Sequence, residues 1–219
     1  MSKTLLLASA SPARKATLIS AGITPSVAVA DVDEDGLLAA HPGLGAEAQV
    51  ELLATAKAEA IARQLLDGEV AAGNSAGGAD SRELPSVVVG CDSMLEMNGQ
   101  VVGKPHTPDV ARERLRAMSG NPGKLHTGHC VIDMASGARA TGTSTTTVHI
   151  GELSEQEIEA YIATGEPLRV AGSFTIDGYG GPFVDGIEGD HHGVVGISLP
   201  LLRRLLRELG HSITDFWDA

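Results

Sequence analysis

The stretch from Val87 to Pro105, VVVGCDSMLEMNGQVVGKP, constrains the fold more than any other part of the chain. It opens on Val87, Val88 and Val89, a short run of β-branched residues that reads as a buried strand. Gly90, Cys91 and Asp92 follow, placing a carboxylate where that strand is expected to run out. Asn98-Gly99 then supplies a turn whose two central positions tolerate positive φ, so a tight hairpin is expected. The return strand, Gln100 to Val102, delivers Gly103, Lys104 and Pro105. A carboxylate and an ammonium are thus expected at the ends of neighbouring strands, beside glycines that let a ligand approach the backbone. An aspartate so placed suits a metal ion or a water, and a lysine suits a phosphate.

Upstream, Thr4 to Ala8 reads as a strand ending in Ser9-Ala10-Ser11-Pro12. Ser11 is the expected N-cap and Pro12 the first residue of a helix reaching about Ala21 and stopping at Gly22. The free N–H groups of such a helix start favour an anion. Arg14 and Lys15 in the first turn oppose the helix dipole, and an anion held between Arg14 and the helix end would resolve that conflict. A solvated basic patch is the alternative. Ser26 to Ala30 is a second strand, running into Asp31-Val32-Asp33-Glu34-Asp35. That run is either a solvated turn or a place where one acid ligates a divalent cation, and spacing does not single one out.

Gly45 to Leu66 is a long helix, with Leu52, Leu53, Ala56, Ala60, Ile61 and Leu65 as its apolar face. Glu47, Glu51, Lys57 and Arg63 mark the wetter faces, so the residues alone make Lys57 an exposed helix lysine. Residues 67–85, rich in Gly, Ala and Ser, read as a flexible surface insertion. A helix over Pro108 to Met118 precedes strands over Leu125 to Met134 and Ala138 to Ile150. His126, His129 and His149 on those strands have no metal-ligand spacing. Ser154 and Glu157 form a capping box for a helix ending at Gly165-Glu166-Pro167. The glycine-rich stretch Val170 to Gly196 is a binding loop or an irregular connection, and its Asp190-His191-His192 does not read as a metal site. Leu199 to Leu209 is an amphipathic helix with Arg203, Arg204 and Arg207 outward. This order predicts one α/β domain over 1–219, a mixed central sheet with flanking helices.

Composition narrows the partners. A net charge of −12 and 3% aromatic residues argue against a nucleic-acid polymer, which needs basic contacts and stacking rings. Two cysteines are too few for a disulfide framework or a zinc cage. Neither a signal peptide nor a membrane-spanning run is apparent, so a cytoplasmic protein is expected.

Taken together, Ser9-x-Ser11-Pro12-x-Arg14, the acidic run with Glu34, Ala56-Lys57-Ala58, Gly90-x-Asp92-Ser93 and Gly103-Lys104-Pro105 resemble the Maf family of nucleoside triphosphate pyrophosphatases, first linked to septum formation. Leu115-x-x-Met118-Ser119-Gly120, His126-Thr127-Gly128, Tyr161-x-x-x-Gly165-Glu166-Pro167, Ala171-Gly172-Ser173-Phe174 and Val194-Val195-Gly196 extend the resemblance over nearly the whole chain. It implies two lobes around a cleft, a fold similar to the inosine-triphosphate pyrophosphatases, and a homodimer. The implied reaction converts a nucleoside triphosphate, dTTP, UTP or a modified nucleotide, to the monophosphate and pyrophosphate with Mg²⁺ or Mn²⁺. By the same resemblance Asp92 is the catalytic carboxylate, Glu34 and Asp92 are metal ligands, and Ser9, Arg14, Lys57 and Lys104 bind the triphosphate. The chain departs from the family pattern at Ala13, where a second arginine is common, and at Asp177, where the pyrimidine-preferring branch carries glutamine. A nucleotide-binding regulator of cell division with little turnover is the competing expectation, and a sugar-nucleotide transferase ranks behind it.

Overall fold

The computed structural model describes residues 3–68 and 84–218, so the insertion expected over 67–85 lies, but for its ends, outside the described residues. In chain order the elements are β1 (Leu5–Ala8), α1 (Pro12–Ser20), β2 (Ser26–Ala28), α2 (Glu34–Ala39) and α3 (Ala46–Leu66). β3 (Val87–Met97), β4 (Gln100–Val102), α4 (Pro108–Met118), β5 (Pro122–Asp133) and β6 (Arg139–Ile150) follow. α5 (Glu155–Ala163), β7 (Val184–Glu188), α6 (His191–Val195) and α7 (Leu199–Glu208) complete the described elements. The seven strands form one sheet in the order β2-β1-β3-β5-β6-β7, with β4 added to β3. β1 runs parallel to β2 and β3, whereas β4 is antiparallel to β3 and β7 to β6, so the sheet is mixed, as expected. Among the described residues no helix is long and apolar enough to cross a membrane.

Two compact units emerge. The first comprises the chain as far as Asp92, then Gly128–Thr143, and the chain from Leu199 onward; the second comprises Ser93–Thr127 and Ser144–Ser198.

In the first unit all of β1 is buried, and Leu6 pairs with Val88 and Leu7 with Val89. This hydrophobic run is buried on both faces, as parallel strands usually are. Leu6, Ala8, Val88 and Cys130 share a core with Ala54, Ala58, Ile61 and Leu65 of α3. Small residues let α3 lie close against the sheet. A Cβ on Gly90 would collide with the Ala54 carbonyl oxygen and sit 2.9 Å from the Ala58 nitrogen. A Cβ on Gly128 would collide with the backbone of Val50. Because backbone cannot yield as a flexible side chain does, Gly90→Ala is expected to cost about 3 kcal/mol, lowering Tm by roughly 6–12 °C in a thermal melt. On α7, Leu201, Leu202, Leu205 and Leu206 are buried while Arg203, Arg204 and Arg207 face outward, as the amphipathic pattern predicts.

Two boundaries beside the acidic residues correct the sequence reading, and β5 also starts at Pro122 where Leu125 is expected. β3 does not run out at Asp92 but continues to Met97, so the aspartate sits mid-strand. The Gly90 gap accommodates α3, and the Asp92 charge is compensated by Lys57, so neither residue breaks the strand. The turn beyond it is as expected, with Asn98 and Gly99 at φ 51° and 75°. β2 stops at Ala28, short of the expected Ala30, and the acidic run starts a helix instead of a turn. Asp33 caps α2 by accepting from the Gly36 N–H at 2.9 Å, and Glu34 and Asp35 occupy its first turn, where acids complement the dipole.

In the second unit Leu95, Met97, Met118, Leu125, Val148 and Ile150 form one apolar cluster. Ala111 and Leu115 of α4 pack with Ile158, Tyr161 and Ile162 of α5 in another. The capping box at Ser154 and Glu157 is present. The glycine-rich stretch from Val170 to Gly196 contains β7 and α6. Asp190 caps α6, accepting from the N–H groups of His192 and Gly193 at 3.2 and 3.0 Å.

Glu166 organises the segment before β7. It accepts from the Tyr161 hydroxyl at 3.0 Å, from the Thr175 hydroxyl, and from the N–H groups of Tyr179 and Gly180 at 3.1 Å each. Burial alone would raise its carboxyl, but hydrogen bonds from Thr175, Tyr179, Tyr161 and Gly180 outweigh it and hold the group below the usual glutamate range. A carboxyl depressed on folding contributes stability at pH above its unfolded value and loses it as pH falls through the folded one. Glu166→Gln is therefore expected to cost about 2 kcal/mol at pH 7, or roughly 4–8 °C in Tm, with the gap from wild type closing as the melt is repeated below pH 4.5.

Candidate active site

The parallel pairing of β1 and β3 places their C-terminal directions on one side of the sheet, where ligands of open α/β sheets bind. Ser9 follows β1 directly, two residues beyond Leu7, and Cys91 lies two residues beyond its partner Val89. Arg14, in the first turn of α1, joins the two strands. Its Nη1 donates to Ser9 Oγ at 2.9 Å and to the Cys91 carbonyl at 2.8 Å. Ser11 caps α1 as expected, accepting from the Arg14 N–H, while its own N–H donates to Ser9 Oγ.

Strand alternation then fixes Asp92. Side chains at i and i+2 share a face, so Asp92 points the way Gly90 does, towards α3. The α3 residues against Gly90 are Ala54 and Ala58, and Lys57 lies beside them on the same helix surface. Lys57 Nζ donates to Asp92 Oδ1 at 2.6 Å and pairs with Glu34 Oε1 at 2.8 Å. Its side chain is only 14% exposed, which corrects the reading of an exposed helix lysine. The apolar face of α3 is rotated from the one expected: Val50, Ala54, Ala58 and Ala62 are buried, whereas Leu52, Ala56 and Ala60 are only partly so.

Two carboxylates therefore converge on one ammonium. Asp92 is buried and Glu34 is 47% exposed at its side chain. Burial raises the Asp92 carboxyl above the usual aspartate range, against the pull of Lys57 and Arg14 and with a further push from Glu34. A buried carboxylate kept from full acidity suits proton transfer. The neighbouring thiol does not compete. Burial pushes Cys91 up to about 12, leaving it a protonated packing group.

Ser9, Arg14, Glu34, Lys57 and Asp92 are thus gathered in the first unit. Lys104, exposed two residues beyond β4, belongs to the second unit, as does the exposed Asp177. The Cys91 carbonyl, which holds Arg14, escaped the sequence reading because a main-chain acceptor leaves no residue-type signal. Among the described residues no group of three or more His, Cys, Asp or Glu is placed to hold a metal by itself. A pair of carboxylates fits a hard ion that completes its shell with water and phosphate oxygens.

Fold and site define a mixed α/β protein with a carboxylate–cation cluster at the carboxyl side of its parallel strands. The chain belongs to the Maf-like protein family, whose model matches residues 4–209. It is 51% identical to a nucleoside triphosphate pyrophosphatase of Nocardia farcinica, over 99% of this chain and 98% of that one. Proteins of the same name from Streptomyces coelicolor and Salinispora tropica are 49% and 50% identical, over 97% and 98% of this chain and 94% and 87% of theirs.

Proposed function

We propose that this chain hydrolyses a nucleoside triphosphate to the monophosphate and pyrophosphate. The observation that carries the reading is the buried Asp92 held on Lys57 together with Glu34, with Arg14 fixed one residue away along β3. The names of the relatives support the substrate class. Asp92 takes the proton of a water attacking the α-phosphorus, the bond to the bridging oxygen breaks, and pyrophosphate departs. Lys57 holds the Asp92 carboxylate in place and, with Arg14, offsets negative charge on the phosphate oxygens, where electrostatic stabilisation contributes most. Ser9 and the N–H groups opening α1 add donors for the same anion, and Lys104 is assigned to the triphosphate as a further cation. A magnesium or manganese ion held by Glu34 and Asp92 would supply additional neutralisation of the phosphates. The substrate is dTTP, UTP or a modified nucleotide, with Asp177 in place of glutamine bearing on the base, and the protein acts as a homodimer in the cytoplasm.

Pyrophosphate release from a panel of nucleoside triphosphates, with magnesium, with manganese and with chelator, tests this reading. One or a few substrates should turn over with metal and none with chelator. Silence across the panel, with nucleotide still bound, would replace the enzyme by the regulatory reading.

A further inference from the structure

Lys57 Nζ occupies the point on which two carboxylates of the first unit converge. Asp92 Oδ1 lies 2.6 Å from it and Glu34 Oε1 2.8 Å, so one ammonium bridges both acids. A carboxylate pair gathered on one cation is the donor set of a hard divalent ion, and here the chain supplies the cation itself. The three groups differ in freedom. Asp92 is fixed, buried in the middle of β3. Glu34 belongs to α2, in which no residue is buried, and its side chain is 47% exposed. Lys57 reaches the pair on a flexible four-carbon stem, which lets the ammonium move without moving α3.

We propose that the Lys57 ammonium is a resident counter-ion that holds the Asp92–Glu34 pair against a divalent cation until a triphosphate draws it away, so that metal enters with the nucleotide and not before it. The proposal rests on the nucleotide reading above. An ammonium and a divalent ion cannot share the same two oxygens, because like charges so close repel strongly where solvent is largely excluded. Arg14 adds a second positive charge within reach of Asp92, so a bare cation gains little by entering. A triphosphate reverses that balance. Its oxygens attract Lys57 off the carboxylates, and the half-exposed Glu34 is free to follow the incoming charge. When the products leave, Lys57 returns and Asp92 is again neutralised within the fold.

The test measures Mn²⁺ binding without nucleotide, from the EPR signal of the free ion. It compares wild type, Lys57→Met, Lys57→Arg and the double variant Lys57→Met with Glu34→Gln. Lys57→Met binds Mn²⁺ roughly 10- to 100-fold more tightly than wild type, and Glu34→Gln removes the gain. Lys57→Arg stays as weak as wild type, because a cation still bridges the pair. Thermal melts give a second reading: millimolar Mn²⁺ raises the Tm of Lys57→Met and leaves that of wild type unchanged. Equal affinities in wild type and Lys57→Met would overturn the proposal. If Lys57→Met does not fold, wild type decides. Mn²⁺ held by the nucleotide-free protein and lost in Glu34→Gln would overturn it. Mn²⁺ retained only with an α,β-methylene nucleoside triphosphate, and more by wild type than by Glu34→Gln, would uphold it. Wild type that hydrolyses no nucleotide would sink the pyrophosphatase reading, while the Mn²⁺ affinities still judged Lys57.

Discussion

Asp92→Asn lowers kcat by about 10²- to 10⁴-fold while the protein folds as before. The amide keeps the size of the side chain and can still accept from Lys57 Nζ, so the 2.6 Å contact in the core survives. What disappears is the ability to take a proton. Burial already disfavours the Asp92 carboxylate, so its neutral replacement leaves Tm unchanged or slightly raised. Steady-state kinetics beside a thermal melt checks both halves. A variant that unfolds would make Asp92 structural, and one with near-normal turnover would remove it from the chemistry.

Lys57→Met has the opposite signature, a loss of stability as well as of activity. The methionine fills much the same volume, but Asp92 is left buried without its counter-charge, and Glu34 loses its tether to α3. Breaking one partner out of a buried pair costs about 3–5 kcal/mol, or roughly 6–20 °C in a chain of this size. On the proposed function, loss of the Lys57 cation lowers kcat/KM by a further 10²- to 10³-fold, about the effect of deleting one oxyanion donor. The double variant Lys57→Met with Asp92→Asn separates the two effects. It should recover most of the stability of Lys57→Met, because the uncompensated charge is gone, and none of the activity. If the double variant melts as low as Lys57→Met, the ion pair is not the source of the loss.

The sequence carried the elements better than their phases. The hairpin at Asn98-Gly99 was legible because positive φ at both turn residues leaves few residue choices. The caps at Ser11 and Ser154 were legible because a hydroxyl three residues before a free N–H is a local signature. Lys57 was misplaced because α3 is rich in alanine, which fits a buried or an exposed face equally, so several apolar stripes compete. The glycines across from it decide the phase, since Gly90 and Gly128 admit the helix backbone, and that pairing is tertiary. β3 was cut short for a related reason. Gly90 and Asp92 look like strand breakers until the helix that fills the gap and the ammonium that meets the charge are in place. The helix α2 was missed because Asp31 to Asp35 has no apolar period, and only the cap at Asp33 announces it. Of the candidate site, the residue types were visible in sequence. Their convergence on one ammonium was not, because residues 34, 57 and 92 come from three separate elements.

The most direct measurement is ³¹P NMR of nucleoside triphosphate hydrolysis in ¹⁸O-water, wild type beside Asp92→Asn. The account predicts nucleoside monophosphate carrying the label, unlabelled pyrophosphate, and neither product above background from the variant. Nucleoside diphosphate with labelled orthophosphate, or label in the pyrophosphate, would place the attack elsewhere on the triphosphate and contradict it.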